Sequence, residues 1–203
     1  MSIRFGGFAL SASLALHMPP AKSEQAALEA VLDALAPLFE ASPLAEGERR
    51  GALLVVTEDA GSATAVQFWR DALEAGPALA RPGAFPWCLA NAPGATVARR
   101  FGITGPNVTW LVTRLDEGGA FDAPAAWLDA HLQSAPSPDE TVQAWVLAMR
   151  FGMPRAGVLG WHWLAGAEPS AGGEGDGIDT FAALRDRLAR DWVGASTESI
   201  GEP

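Results

Sequence analysis

Six consecutive residues, Ala52 to Thr57 in the run GALLVVT, offer no polar side chain before the closing threonine. A strand with one wet face alternates apolar and polar residues, so an unbroken run suits a strand covered on both faces. Such a strand needs layers above and below its sheet, and the sequence on either side has helical spacing. Val108 to Thr113 and Ala156 to Trp163 repeat the apolar character, and Ile3 to Leu10 predicts a further strand before a Ser-containing loop that runs to Pro19-Pro20. Strands alternating with helices predict an α/β fold whose sheet has at least some parallel strands.

The helical segments carry their own punctuation. Ser23 is placed to cap a helix reaching about Phe39, in which Leu28, Val31, Leu32, Leu35, Leu38 and Phe39 recur at three and four residues. Ser62 to Ala75 predicts a second helix with Val66, Trp69 and Leu73 on one face, stopped by Gly76-Pro77. A Pro/Gly-rich connection leads to a helix over Ala92–Phe101. Arg99 and Arg100 sit at its negative end, and Gly102 suits a left-handed stop. Asp122 is the expected cap of a helix to Gln133. Ser137-Pro138-Asp139-Glu140 has the form of a capping box, predicting a helix from Glu140 to Arg150 closed by Gly152 and Pro154. The acidic, Gly-rich stretch 167–177 has linker composition, and an amphipathic helix with Phe181, Leu184, Leu188 and Trp192 on one stripe follows within 178–203.

Charge and cysteine usage narrow the function classes. The 203 residues carry a formal net charge of -10, and no basic run exceeds the pairs Arg49-Arg50 and Arg99-Arg100, so nucleic acid is not an expected partner. Cys88 is the single cysteine, which excludes an internal disulfide or a thiolate zinc cluster and points to a reducing, cytoplasmic setting. The N-terminal apolar run is broken by Gly and Ser and lacks a cleavage site of A-x-A form, so a strand is preferred to a secretory signal. No apolar stretch reaches the ~20 residues of a membrane span. The acidic residues lack a metal-ligand spacing and GGEGDG lacks the lysine of a phosphate loop, so neither metal nor cofactor is expected.

Four single residues call for weighing. Cys88, between Trp87 and Leu89, has no acid or histidine near it in sequence, and an apolar setting raises a thiol pKa, so a structural role outweighs a nucleophilic one. His162 in GWHWLAG sits on the opposite strand face from Trp161 and Trp163 and is more simply structural than a general base. His17 falls in the expected loop, and His131 one helical turn after Trp127, where stacking accounts for it. Of the 8 tryptophans, Trp110, Trp161 and Trp163 are the expected contacts of a partner.

The run PWCLANAPGATVARRFGITGPN carries Pro86, Asn91, Phe101, Gly102, Gly105, Pro106 and Asn107 at fixed offsets. This pattern resembles the N-terminal half of β-ketoacyl synthases of the thiolase-like superfamily, and the spacing needs no gaps. The resemblance implies a thiolase-like N-terminal half over 1–166, an α/β fold with a mixed, mostly parallel sheet and flanking helices. In that family a nucleophilic cysteine follows the next strand at the start of a helix. Carrying the register forward places that position on Arg114, which forms no thioester. The LDEGG that follows also lacks the small-residue character of the family's nucleophile turn. The resemblance further implies histidine or asparagine partners from a second half, which is not expected in a chain of this length. Arg114 then has two readings: it fills the lost site by pairing with Asp116, Glu117 or a partner's carboxylate, or it is an exposed strand end.

These features lead to the expectation of a non-catalytic ketosynthase-like protein, resembling a chain length factor and serving as an accessory component of a polyketide or fatty-acid type, polyene-like synthase. Val108, Trp110 and Val112 on the strand before Arg114 are its candidate interface, with a ketosynthase subunit or a second copy as partner. Acyl carrier protein is a weaker candidate, since such carriers share this chain's acidic charge. The rival readings are a diverged acyltransferase or thioesterase-like enzyme using Cys88 or His162, and a stand-alone scaffold.

Overall fold

The computed structural model describes residues 8–42, 50–79, 81–117, 119–133, 142–152, 156–165 and 186–192. Strands β1 (Phe8–His17), β2 (Ala52–Thr57), β3 (Asn107–Leu111), β4 (Val142–Arg150) and β5 (Gly157–Ala165) form one sheet in the order β1-β5-β4-β2-β3. β2 pairs parallel with both β3 and β4, whereas β5 lies antiparallel to β4 and to β1. Four strands therefore run one way and β5 alone runs against them, which is the mixed, mostly parallel sheet expected.

β2 is buried at all six positions because layers cover both faces of the sheet. Ala52, Leu54 and Val56 point into one layer with Ala125, Leu128 and Leu132 of helix α5 (Asp122–Leu132) and with Leu188 and Trp192 of the helix at 186–192. Leu53 and Val55 point into the other, with Leu28 of α1 (Glu24–Val31), Phe39 of α2 (Ala36–Glu40) and Val97 of α4 (Ala92–Phe101). Phe39 stacks on Phe101 with centroids 4.0 Å apart and planes 9° from parallel. Of the expected C-terminal stripe, Leu188 and Trp192 are buried in this core, while Phe181 and Leu184 lie outside the described residues.

Two expectations are corrected. The helix foreseen over Glu140–Arg150 is strand β4, with Ser137 to Glu140 outside the described residues. Ala144, Val146 and Ala148 face one layer and Trp145, Leu147 and Met149 the other. A strand apolar on both faces shows no alternation, so its pattern alone does not distinguish it from a helix.

The first strand extends through the expected serine loop to His17, and residues 3–7 lie outside the described residues. A register shift between Leu10 and Ala12 moves the inward side chains from one face to the other. Leu10 packs on the α5 layer, whereas Ala12, Leu14 and Leu16 pack on the α1 layer.

Helix α3 (Ser62–Ala75) has the expected bounds, but its apolar stripe faces outward: Val66, Trp69 and Leu73 are 60%, 64% and 83% exposed, and Ala72 alone is buried. α3 packs chiefly on the two short 3-10 segments that follow it, Pro77–Leu79 and Pro82–Cys88. Helical spacing establishes that a stripe exists and says nothing of what covers it.

Two smaller differences have local causes. The single helix expected from Ser23 is α1, a 3-10 turn at Asp33–Leu35, and α2, because Pro37 has no N–H for the helical ladder. Ser23 itself is the cap, its hydroxyl accepting from the Ala26 N–H at 3.2 Å. Asp122 is the first helical residue of α5, with Phe121 at the cap position.

Candidate functional site

The parallel strands end together: Thr57 of β2 stands level with Leu111 of β3 and with Met149 of β4. Side chains that follow these strands therefore meet at one rim of the sheet, the end where α/β proteins gather their chemistry. Arg114, three residues beyond β3, donates through Nε and Nη2 to the Asp116 carboxylate at 3.0 and 2.8 Å, and its Nε lies 3.7 Å from Glu117 Oε1. Arg150, the last residue of β4, donates from Nη2 to Glu58 Oε2 at 2.8 Å and pairs through Nε with Glu58 Oε1. Its Nη2 also lies 3.7 Å from Asp116 Oδ1, joining the two ion pairs into one network.

Backbone and packing hold this network in place. Glu58 Oε2 accepts from the Leu115 N–H at 2.9 Å, and Leu115 is buried. The Asp59 carboxylate accepts from the N–H groups of Phe151, at 3.0 Å, and Gly152, at 2.6 Å, tying the end of β4 to the end of β2. The Arg150 guanidinium sits 5.6 Å from the centroid of the Trp192 ring. The hydrogen bonds and charge of Arg114 lower the Asp116 pKa to about 2, and the same contacts raise that of Arg114. Both stay ionised across the physiological range, so neither serves this rim as a nucleophile or a free base.

The family-pattern residues occupy joints of the fold. Pro86 lies in the 3-10 segment, where its carbonyl accepts from the Leu89 N–H at 3.3 Å, and Asn91 is the cap residue of α4. Phe101 and Gly102 end α4, Gly102 being left-handed at φ 67 with its N–H on the Ala98 carbonyl. Gly105 packs so closely on the Gly51 backbone that a Cβ has no room. The Pro106 carbonyl accepts from the Leu53 N–H at 2.8 Å, and Asn107 opens β3.

Val108, Trp110 and Val112 are half-buried and pack on the α5 layer of the chain's own core. β3 is nonetheless an edge strand, and Leu111, on its other face, is 59% exposed. What this strand offers outward is its backbone edge and Leu111.

The remaining candidates stay apart. Cys88 Sγ–H donates to the Ala84 carbonyl at 3.5 Å, and burial, then the nearby Glu24 charge, raise its pKa. His162 is fully buried, stacked on Trp145, with Nε2 3.2 Å from Gln143 Oε1 and a pKa lowered by burial to about 4. Among the described residues neither is hydrogen-bonded to an acid of the kind a catalytic pair needs. His17 ends β1 instead of lying in a loop, and His131 stacks on Trp127 at 5.6 Å. Trp161 and Trp163, expected to meet a partner, are fully buried, and the Trp161 indole donates to Asp191 at 2.9 Å. Among the described residues no group of three or more His, Cys, Asp or Glu is placed to hold a metal ion. None of their helices is long and apolar enough to cross a membrane.

No protein-family model matches the chain, and no curated protein matches it. Among solved structures it is similar to the ishigamide ketosynthase/chain length factor, with a TM-score of 0.48 and 12% identity over 85% of this chain and 64% of that one. It is also similar to the ketosynthase ApeO in complex with its chain length factor ApeC from Xenorhabdus doucetiae. That match has a TM-score of 0.42 and 12% identity over 90% of this chain and 92% of that one. The structural neighbours are ketosynthase/chain length factor proteins. The chain spans less than two thirds of the first neighbour's length.

Proposed function

We propose that the chain is a non-catalytic, chain-length-factor-like component of a polyketide or fatty-acid type synthase, acting in the cytoplasm by pairing with a ketosynthase subunit. The observation that carries this reading is Arg114. In the register set by Pro86 to Asn107 it stands where β-ketoacyl synthases hold their nucleophile, and its guanidinium is committed to Asp116. A permanently charged group cannot take an acyl chain from a thioester, so the contribution left to this chain is structural.

The edge of β3 supports a pairing role. Its outward N–H and C=O groups are a template for another strand, and the half-buried Val108, Trp110 and Val112 stiffen it from behind. A net charge of -10 favours a ketosynthase over an acidic carrier protein as the direct contact. The test is light scattering after size exclusion on the purified chain mixed with the ketosynthase encoded nearest to it. A complex with the summed mass of both is expected, together with a changed product length when the chain is added to the synthase reaction. A monomer that ignores the ketosynthase at micromolar concentration would sink the proposal.

A further inference from the structure

The described residues expose six large hydrophobic side chains: Val66, Trp69 and Leu73 on α3, Phe85 and Leu89 in and just after the Pro82–Cys88 segment, and Leu111 at the end of β3. Scattered exposed apolar residues are ordinary, but five of these six fall between Val66 and Leu89, on α3 and the segment packed against it. Phe68 joins the first two groups, its ring 5.9 Å from those of both Trp69 and Phe85.

The Cys88–Leu89 end of this group lies near the end of β2 that stands beside Leu111. Thr57 stands beside Leu111, and four residues later a Cβ on Gly61 would lie about 3 Å from the backbone of Cys88 and Leu89. α4, which opens at Ala92, lies over β3, with Gly94 against Asn107 and Thr109. Gly94 also meets Val55 of β2, so the stretch before α4 is held on the β2–β3 side of the sheet, and α3 packs on that stretch.

The area argument selects what covers this surface. A five-residue edge is ~17 Å long, whereas a stable interface takes about 800 Å² and 20–30 residues from each partner. Strand pairing along β3 is therefore too small to hold a subunit by itself. The adjoining aromatic and aliphatic side chains include a tryptophan and a phenylalanine of the kind that anchor interfaces. A second copy would bring a further charge of -10 to the contact, which weighs against self-association.

We propose that the ketosynthase subunit paired with β3 also seats on the outward face of α3 and the Phe85–Leu89 stretch, with Trp69 as its central anchor. The inference rests on the function proposed above and specifies where most of that contact lies.

The experiment titrates the ketosynthase encoded nearest to the chain with the full-length protein, comparing wild type with the double variant Trp69→Glu/Leu73→Glu. Both side chains are exposed, so unchanged thermal unfolding by circular dichroism is expected alongside a loss of affinity of about 100-fold. Hydrogen exchange on the wild-type complex gives a second readout that needs no variant: amides of 62–75 and 85–89 slow when the ketosynthase binds. Wild-type binding with variant affinity within threefold, or with no slowing in those segments, overturns the proposed surface and leaves the proposed function standing. No wild-type binding at all removes both. Self-association of the chain alone that the double variant abolishes, with the ketosynthase binding both proteins equally, assigns the face to a second copy and overturns the proposal.

Discussion

The imidazole of His162 lies flat on the indole of Trp145, with centroids 5.0 Å apart and planes 13° from parallel. Nε2 faces Gln143 Oε1, which also accepts from the Ser42 hydroxyl at 2.9 Å, so Nε2 carries the proton. Nδ1 has no hydrogen-bond partner among the described residues. Protonation would therefore place a second N–H in the core without an acceptor, which is why burial lowers this pKa to about 4.

A pH dependence of stability follows, with its sign fixed by that shift. The unfolded chain protonates His162 near 6.5 and the folded chain near 4. The contribution is complete above about pH 6.5 and is lost as pH falls through about 4. At about 1.4 kcal/mol per pKa unit it amounts to roughly 3 kcal/mol. Urea unfolding at pH 7.5 and 4.5 should show a loss of that order in the wild type and a much smaller one in His162→Gln. Equal losses in both proteins would assign the acid sensitivity elsewhere.

The Glu58–Arg150 pair should be costly to break from one side. Their side chains are 16% and 10% exposed, and Glu58 also holds the Leu115 N–H. Glu58→Gln keeps an oxygen for that N–H but leaves the Arg150 guanidinium only its longer 3.7 Å contact with Asp116, a loss of up to about 3 kcal/mol for a buried pair. The double variant Glu58→Gln/Arg150→Met should recover much of this. Urea midpoints for the two single variants and the double variant measure the coupling, and additive losses would contradict it.

Legibility in the sequence divides along physical lines. Ala52–Thr57 and Ala92–Phe101 were readable because each signal is local: an unbroken apolar run, and a stretch closed by two arginines and a left-handed glycine. β4 was misread because burial on both faces erases the alternation that marks a strand. α3 was placed correctly, while the surface its stripe faces was not readable, since a partner surface is not in the helix's own sequence. Half of the rim network was visible, Arg114 with Asp116 two residues on. Glu58 and Arg150 were not, because they come from two strands separated by 92 positions and only the sheet register brings them together.

Glu24 caps a helix other than its own. From the first turn of α1 its carboxylate accepts from the N–H groups of Gly61, Ala63 and Thr64 at 2.6, 3.1 and 3.4 Å, where the start of α3 lacks a side-chain cap. Glu24→Ala should cost about 1 to 2 kcal/mol, the scale of a lost cap. Hydrogen exchange should show protection lost at amides 61, 63 and 64 before any change in β2. Unchanged exchange there would mean that water replaces the carboxylate without loss.

Restoring a thiol at position 114 should not restore chemistry. In Arg114→Cys, made on a Cys88→Ser background, the new side chain follows an edge strand and faces Asp116 and Glu117. Both carboxylates disfavour a thiolate, and the nearest helix N-terminus downstream, at Asp122, is eight residues away. Its pKa should therefore exceed the ordinary ~8.5, with iodoacetamide labelling rising only at alkaline pH and no acyl adduct forming from an acyl thioester. Labelling that is already complete at pH 7, together with a stable acyl adduct by mass spectrometry, would show that the rim retains an activating environment. The arginine would then be the only barrier to catalysis.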